Sequence, residues 1–254
     1  MARVFVTGST AGIGRETARQ LLEAGHEVVG HARSAERADQ VRAVLPGLAD
    51  VVVGDLSSLA QTRALAEAAA AAGPFDAVVH NAGIGGGAPD KVLTADGLER
   101  IFQVDAVAPY VLTALMPRPR RLVYLTSGLQ AEGYAEPDEI EWGWDGMQAY
   151  ADAKLVDLVL ACAVSRLWPD VVTNAVDPGW VRTRLGGPNA TDDLGPGAET
   201  QVWLATSDDP EALVGGRFLK HRTPLEPNPQ ALDVELQERV LTRLADVTGI
   251  VLPR

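Results

Sequence analysis

Short valine-rich apolar runs alternate with longer amphipathic stretches along most of the chain. The runs are Arg3–Thr7, Glu27–Ala32, Asp50–Val53, Asp76–His80, Arg121–Thr126 and Val171–Val176. Each is only a few residues long and is bounded by Gly, Pro or Asp. Near-continuous apolarity, rather than strict alternation, marks a strand buried on both faces. Helical segments fill the intervals. Gly14–Ala24 ends at Gly25, a residue suited to a C-terminal cap. Ser58–Ala72 is alanine-rich and stops at Gly73-Pro74, while Gly97–Leu115 and Gln148–Leu167 are the longest, the second closed by Trp168-Pro169.

Parallel strands can be joined only through crossovers, and helical crossovers cover both faces of the sheet they connect. The rhythm therefore predicts an α/β chain, a single domain over 1–254, with a Rossmann-type doubly wound parallel sheet of about seven strands. A seventh strand is expected near Gly216–Leu219 and a last helix over about Pro229–Val247, where Leu236, Val240, Leu244 and Val247 share a face. Gly133–Met147, Gly186–Gly197 and Arg222–Asn228 are expected to be irregular. The first two follow the fifth and sixth strands, on the edge where such sheets bind ligands.

Composition narrows the function classes. Hydrophobic residues make up 46% and charged residues 22%, close to the soluble globular average. A formal net charge of −12 without a basic run argues against wrapping nucleic acid or docking on an anionic membrane. No stretch has the roughly eighteen uninterrupted apolar residues of a spanning helix, and Met1-Ala2-Arg3 leads into the first strand without a signal-peptide layout. The single cysteine, Cys162, lies in an apolar run and is expected to be a small buried side chain. These features predict a cytoplasmic protein with a small-molecule ligand, no metal, no nucleic acid and no membrane partner.

Thr7-Gly8-Ser9-Thr10-Ala11-Gly12-Ile13-Gly14 follows the first strand and opens the first helix. Glycines at such a corner let the backbone turn tightly and approach a pyrophosphate, toward which the free N–H groups of a helix start point. The second strand ends in His31-Ala32-Arg33-Ser34, where NAD-dependent folds place a carboxylate on the ribose 2′-hydroxyl. A guanidinium there suits a 2′-phosphate, with Arg15 as a second positive charge, so NADP(H) is favoured and NAD(H) is the alternative. Tyr150 and Lys154 stand four residues apart on one helix face. A free phenol ionises near pH 10, and a neighbouring ammonium favours the phenolate, giving a group able to exchange a proton with a carbonyl oxygen.

The spacing Thr-Gly-x-x-x-Gly-Ile-Gly resembles the cofactor turn of the short-chain dehydrogenase/reductase family, and further motifs follow in order over about residues 3 to 220. The resemblance assigns Gly8, Ser9, Thr10, Gly12, Ile13 and Gly14 to the cofactor turn. It assigns Asp55 and Leu56 to the adenine, though Asp55 or Ser57 could instead cap the next helix. Asn81-Ala82-Gly83 would support the sheet and border the cofactor. Pro178, Gly179 and Thr183, in Asp177-Pro178-Gly179-Trp180-Val181-Arg182-Thr183, would meet the nicotinamide carboxamide, with Arg182 and Arg184 left as solvated side chains. Ser127, ending Leu125-Thr126-Ser127, would orient the substrate carbonyl; Thr126 faces the other way and is the weaker candidate.

One position departs from the family pattern. Phe102-Gln103-Val104-Asp105 carries aspartate where the family commonly has asparagine, whose backbone carbonyl holds a water in a proton relay. Asp105 keeps the carbonyl but adds a charge that could pair with Lys154 or alter the tyrosine's titration. Residues 133–147, with Trp142, Trp144, Glu136, Asp138, Glu139 and Glu141, resemble the insert of retinol-dehydrogenase-like and carbonyl-reductase-like branches. Their tryptophans suit either an apolar or aromatic substrate or packing within the domain. The resemblance implies an NADP(H)-dependent oxidoreductase acting on a ketone, aldehyde or alcohol, with Tyr150 as acid/base. An epimerase or dehydratase on the same fold, or a non-catalytic NADPH-sensing protein, are the alternatives. A homo-oligomer is left open.

Overall fold

The computed structural model describes residues 1–254 except Gly86, Ala88, Pro89 and 136–144. Trp142, Trp144 and the acidic residues singled out beside them lie outside the described residues. The chain runs β1 (Arg3–Val6), α1 (Gly12–Glu23), β2 (Glu27–Ala32), α2 (Ala35–Val44), β3 (Asp50–Val53), α3 (Leu59–Ala72) and β4 (Ala77–His80). Next come α4 (Arg100–Phe102), a π-helical turn (Gln103–Val107), α5 (Ala108–Leu115), β5 (Arg121–Leu125), a 3-10 turn (Gly128–Glu132) and α6 (Gly146–Leu167). The last part comprises β6 (Val172–Val176), α7 (Leu194–Thr206), β7 (Phe218–Lys220), β8 (Thr223–Leu225) and α8 (Val234–Thr248).

The strands form one sheet in the order β3-β2-β1-β4-β5-β6-β7-β8. All neighbours are parallel except β7 and β8, and Val4 of β1 lies opposite Val28 on one side and Ala77 on the other. Alternate side chains of each strand feed two separate cores. Val4, Val6, Val28, Val79, Val123 and Leu125 pack under α1, α2 and α7. Phe5, Val29, Val78, Leu122 and Tyr124 pack under α3, α5, α6 and α8. Each fully buried leucine or valine contributes on the order of 1.5–3 kcal/mol, so the sheet is stabilised from both faces. The strand order reverses direction between β1 and β4, which opens a crevice at their carboxyl ends.

Four local readings need correction. The sheet has eight strands, not about seven, because Thr223–Leu225, expected to be irregular, pairs antiparallel with β7. Its tight turn places His221 at φ 49° and Arg222 at φ 61°, the left-handed conformation that two-residue hairpins require. No glycine or asparagine signals that turn, and Pro224 is tolerated because the strand is an edge. The helix expected over Gly97–Leu115 starts only at Arg100 and widens at Gln103–Val107, where the Ala108 N–H donates to the Gln103 carbonyl five residues back. Pro109 has no N–H for the Asp105 carbonyl and its ring would crowd that oxygen, so the wide turn accommodates the proline. The irregular stretch after β6 ends early, with α7 beginning at Leu194. The last helix is preceded by a 3-10 turn, Pro229–Leu232, and begins at Val234.

Candidate active site

The glycine-rich turn leaves β1 at the crevice and is fastened from three sides. The Thr7 hydroxyl accepts from the backbone N–H groups of Asn81 and Ala82, both at 2.9 Å, and the Asn81 amide donates to the Thr7 carbonyl at 2.8 Å. A Cβ on Gly8, which has φ 65°, would stand 2.8 Å from the Ala82 Cα, and one on Gly14 would stand 2.5 Å from the Gly8 carbonyl oxygen. These two positions therefore require glycine. From β2, His31 supplies the third fastening. Its Nδ1 accepts from the Gly8 N–H at 3.0 Å, and its Nε2 lies 2.8 Å from the Gly54 carbonyl. An Nδ1 that accepts leaves the ring proton on Nε2, donating to Gly54. Burial lowers the His31 pKa below its ordinary value, against smaller upward pulls from the Gly54 bond and Asp55, so the neutral ring is favoured.

No side chain caps α1 at Ala11, and Gly12, with φ 56°, packs on the Thr183 methyl group. The turn is thus a concave cradle with helix N–H groups at its rim, and a pyrophosphate fits that donor set. Ser9 is buried, and its hydroxyl accepts from the His31 N–H at 2.8 Å while Thr10 and Ile13 are half-buried. Arg33 and Arg15 are exposed at the ends of β2 and the start of α1. Asp55 and Ser57 do not cap α3. Asp55 Oδ1 accepts from the N–H and hydroxyl of Ser57, and the cap is Ser58, whose hydroxyl accepts from the Gln61 N–H. Asp55 stays half-buried beside the cradle's outer strand, and Leu56 is buried in the core.

On the other side of the crevice, α6 carries Tyr150 and Lys154. Lys154 Nζ lies 5.8 Å from the centroid of the Tyr150 ring and donates to the Leu125 carbonyl at 2.9 Å. Ser127, two residues past β5, lies close enough to Tyr150 to lower its phenol, and its hydroxyl accepts from the Leu129 N–H at 3.2 Å. Thr126 turns away: its hydroxyl donates to the Lys154 carbonyl at 2.6 Å and fixes α6 to the sheet. Asp105 reaches in from the π turn. Its Oδ1 accepts from the Ile84 N–H at 2.8 Å, and its Oδ2 pairs with Lys154 Nζ at 3.1 Å. Gly83 covers the pair, since a Cβ there would stand 3.0 Å from Asp105 Oδ2 and 3.2 Å from Lys154 Nζ. A contact between Gly85, at φ 144°, and the Tyr150 ring closes this side.

Lys154 was expected to favour the Tyr150 phenolate, with the Asp105 charge able to alter that titration, and both charges act on the phenol. Burial raises it above its ordinary value, Lys154 pulls it down, Asp105 pushes it up, and Ser127 lowers it. The net direction is upward. Burial alone would lower Lys154, but Asp105, Tyr150 and Asp157 outweigh it and keep the amine an ammonium. Asp105 is itself raised by burial, against the pull of Lys154 and the Ile84 N–H.

Pro178, Gly179 and Thr183 follow β6 along the same edge. The Gly179 N–H donates to Asp177 Oδ1 at 2.9 Å, and the Thr183 hydroxyl accepts from the Gly186 N–H at 3.0 Å. Arg182 is exposed, as expected, and pairs at the surface with Asp193 at 2.5 Å. The structure therefore brings together Gly8, Gly12, Gly14, Asn81, Ala82 and Thr183 around the cradle, and Ser127, Tyr150, Lys154 and Asp105 beside it. Cys162 is partly buried, and burial pushes its thiol up to about 11.

Two buried polar residues beside the site escaped the sequence reading. His31 was visible as a polar residue inside a buried strand, and Asp157 as a lone carboxylate in the apolar run Leu155-Val156-Asp157-Leu158-Val159. Among the described residues no group of three or more His, Cys, Asp or Glu is arranged to hold a metal, and no helix is long and apolar enough to cross a membrane.

Comparison with known proteins agrees with this geometry. The family described as short chain dehydrogenase matches residues 2–120. The chain is 41% identical over 259 residues to the short-chain dehydrogenase chyC of Penicillium rubens, covering 100% of both chains. Among solved structures, NADPH-bound carbonyl reductase from chicken fatty liver aligns with a TM-score of 0.69 and 18% identity, over 89% of this chain and 99% of that one. A blue fluorescent protein from a metagenomic library, in complex with NADPH, aligns with a TM-score of 0.68 and 26% identity, over 86% and 95%. With a relative this similar along its whole length, and with a nucleotide cradle facing a tyrosine–lysine helix, the chain belongs to the short-chain dehydrogenase/reductase family of oxidoreductases.

Proposed function

We propose that the protein is an NADP(H)-dependent oxidoreductase that reduces a ketone or aldehyde to an alcohol, or runs the reverse reaction, with Tyr150 as general acid/base. The observation that carries this reading is the placement of Ser127, Tyr150 and Lys154 on one side of the crevice whose other side is the Gly8–Gly14 cradle. The cradle and the uncapped start of α1 would hold the pyrophosphate. Arg33 and Arg15 would meet a 2′-phosphate, and Asp55 and Leu56 the adenine. Asn81, Ala82 and Gly83 would border the nucleotide, with Pro178, Gly179 and Thr183 at the carboxamide and Tyr150 and Lys154 at the ribose. The names of the carbonyl reductase and of the NADPH complexes among the structural neighbours support the cofactor preference.

When bound, the nicotinamide supplies or accepts the hydride. The chain's own work concerns the proton. Ser127 donates a hydrogen bond to the substrate oxygen, and Tyr150 gives its phenolic proton to that oxygen as the carbon is reduced. Lys154 remains an ammonium, stabilising the phenolate left behind until it is reprotonated.

NADPH absorbance followed against a panel of ketones and aldehydes tests the reading. Stoichiometric loss is expected, which separates reduction from epimerisation or dehydration, where the cofactor is recycled. Tyr150→Phe should abolish turnover while leaving NADPH affinity within about fivefold, because a single hydrogen bond is worth only on the order of 1 kcal/mol. Arg33→Ala should weaken NADPH about 10- to 100-fold and leave NADH unchanged, as expected for loss of a charged hydrogen bond of about 1.5–3 kcal/mol. Full activity in Tyr150→Phe would remove the mechanism.

A further inference from the structure

Carboxylates surround the tyrosine–lysine pair. Asp105 is fully buried in the π turn, and beyond the Lys154 ion pair its Oδ2 has no hydrogen-bond partner. Asp157, one turn along α6 from Lys154, is 1% exposed, and its Oδ1 is without a hydrogen-bond partner. Asp177, at the end of β6, pairs with Lys220 at 3.3 Å, and Glu99, ahead of α4, adds a further negative charge toward Asp105. From β5 the Tyr124 hydroxyl faces the same interior but is engaged with Thr113 at 2.6 Å. Lys154 is thus the one cation buried with two carboxylates among the described residues.

The ion pair alters what the lysine can do. A buried ammonium with no counter-charge would act on the phenol at full strength, because interior charges are weakly screened. With Asp105 at 3.1 Å, the pair presents a dipole to Tyr150, and the carboxylate subtracts from the lysine's attraction for a phenolate. Asp157 acts on the lysine rather than on the phenol: its charge adds to that of Asp105 in keeping Lys154 an ammonium.

We propose that Asp105 is a positioning residue that keeps Tyr150 in its proton-bearing form, fitting this site to carbonyl reduction, which needs a proton donor, rather than to alcohol oxidation, which needs a base. The inference rests on the oxidoreductase reading above and deepens it to a direction and a substrate class. The step balances: the carbonyl carbon takes the hydride, the oxygen takes the Tyr150 proton, and the tyrosinate is reprotonated from solvent. Asp105 exchanges no proton in it.

The test compares wild type with Asp105→Asn, which keeps the shape and the Ile84 hydrogen bond but removes the charge. Ultraviolet difference titration of tyrosinate in cofactor-free protein, referenced to Tyr150→Phe, reads the phenol directly and needs no substrate. Asp105→Asn should ionise Tyr150 at a pH lower by about one unit. With benzaldehyde and NADPH, and with benzyl alcohol and NADP⁺, the alkaline fall of reduction and the rise of oxidation should move down together. Asp105→Ser removes the same charge, should shift the titration in the same direction, and stands in should Asp105→Asn not fold. An unchanged or upward midpoint in the variants overturns the proposal even if Tyr150→Phe is inactive. Turnover retained in Tyr150→Phe would instead overturn the oxidoreductase mechanism.

Discussion

Removing the His31 ring should loosen the nucleotide cradle from a residue that touches no part of it except through the backbone. His31 joins three elements at once: β2 carries it, the Gly8 N–H donates to Nδ1, and Nε2 serves the Gly54 carbonyl after β3. In His31→Leu both backbone groups lose their partners. Each buried, unsatisfied group costs about 1–3 kcal/mol, and the Gly8 N–H is only partly buried, so the loss should total roughly 2–4 kcal/mol. Two further variants divide the effect. The amide oxygen of His31→Asn falls near the Nδ1 position and can accept from Gly8, orphaning only Gly54. The amide nitrogen of His31→Gln falls near Nε2 and can serve Gly54, orphaning only Gly8.

Urea denaturation measures the stability of each, and quenching of intrinsic fluorescence by NADPH measures affinity. His31→Gln and His31→Leu should bind about tenfold more weakly, equivalent to roughly 1.4 kcal/mol, while His31→Asn keeps near-native affinity at reduced stability. Acid should mimic the loss. The folded pKa lies below the ordinary 6.5, so the unfolded chain takes up the proton first. The contribution is therefore complete above pH 6.5 and fades as pH falls through the folded value. Wild-type stability and affinity in His31→Leu would refute the reasoning.

Two other outcomes follow from buried polar groups. Asp157 has a folded pKa raised to about 8 from 3.8, so the native state holds a proton the unfolded chain releases, and stability should fall as pH rises across that window. Asp157→Asn should flatten that slope, raising the denaturation midpoint at pH about 8 more than at pH about 4; equal effects at both would contradict it. Trp168, 1% exposed, donates from its indole N–H to the Pro253 carbonyl at 2.6 Å and lies under the Arg118 guanidinium at 4.3 Å. Trp168→Phe removes the indole N–H, leaves the Pro253 carbonyl only its Arg118 bond at 3.3 Å, and opens a void at a buried site, so chemical denaturation should show a loss of about 1–3 kcal/mol.

What could be read from the residues follows the length scale of the signal. The seven parallel strands announced themselves because burial on both faces demands uninterrupted apolar side chains, as in Val28-Val29 and Val78-Val79. β8 did not, because an exposed three-residue edge strand has no such demand, and its turn is built from His221 and Arg222 against their preference. Tyr150 and Lys154 were legible as spacing on one helix, and Ser127 only through the resemblance of its Leu-Thr-Ser strand ending. The Asp105–Lys154 pair was legible only as an option, since it joins residues from two helices whose relative rotation depends on the widened turn ahead of Pro109. His31 stood out as a polar residue in a buried strand, but its role did not, because its partners are backbone groups, which every sequence possesses.

The extra residue in the turn at Gln103–Val107 also makes the position of one charge a matter of chain length as well as of chemistry. An α-helix advances about 100° per residue, so excising Val104 or Ala106 to restore regular winding would swing the aspartate across the helix by a large fraction of a turn. The composition there would be almost unchanged, yet the ammonium would be stranded. A one-residue deletion there would therefore remove the counter-ion from Lys154 without replacing any charged residue.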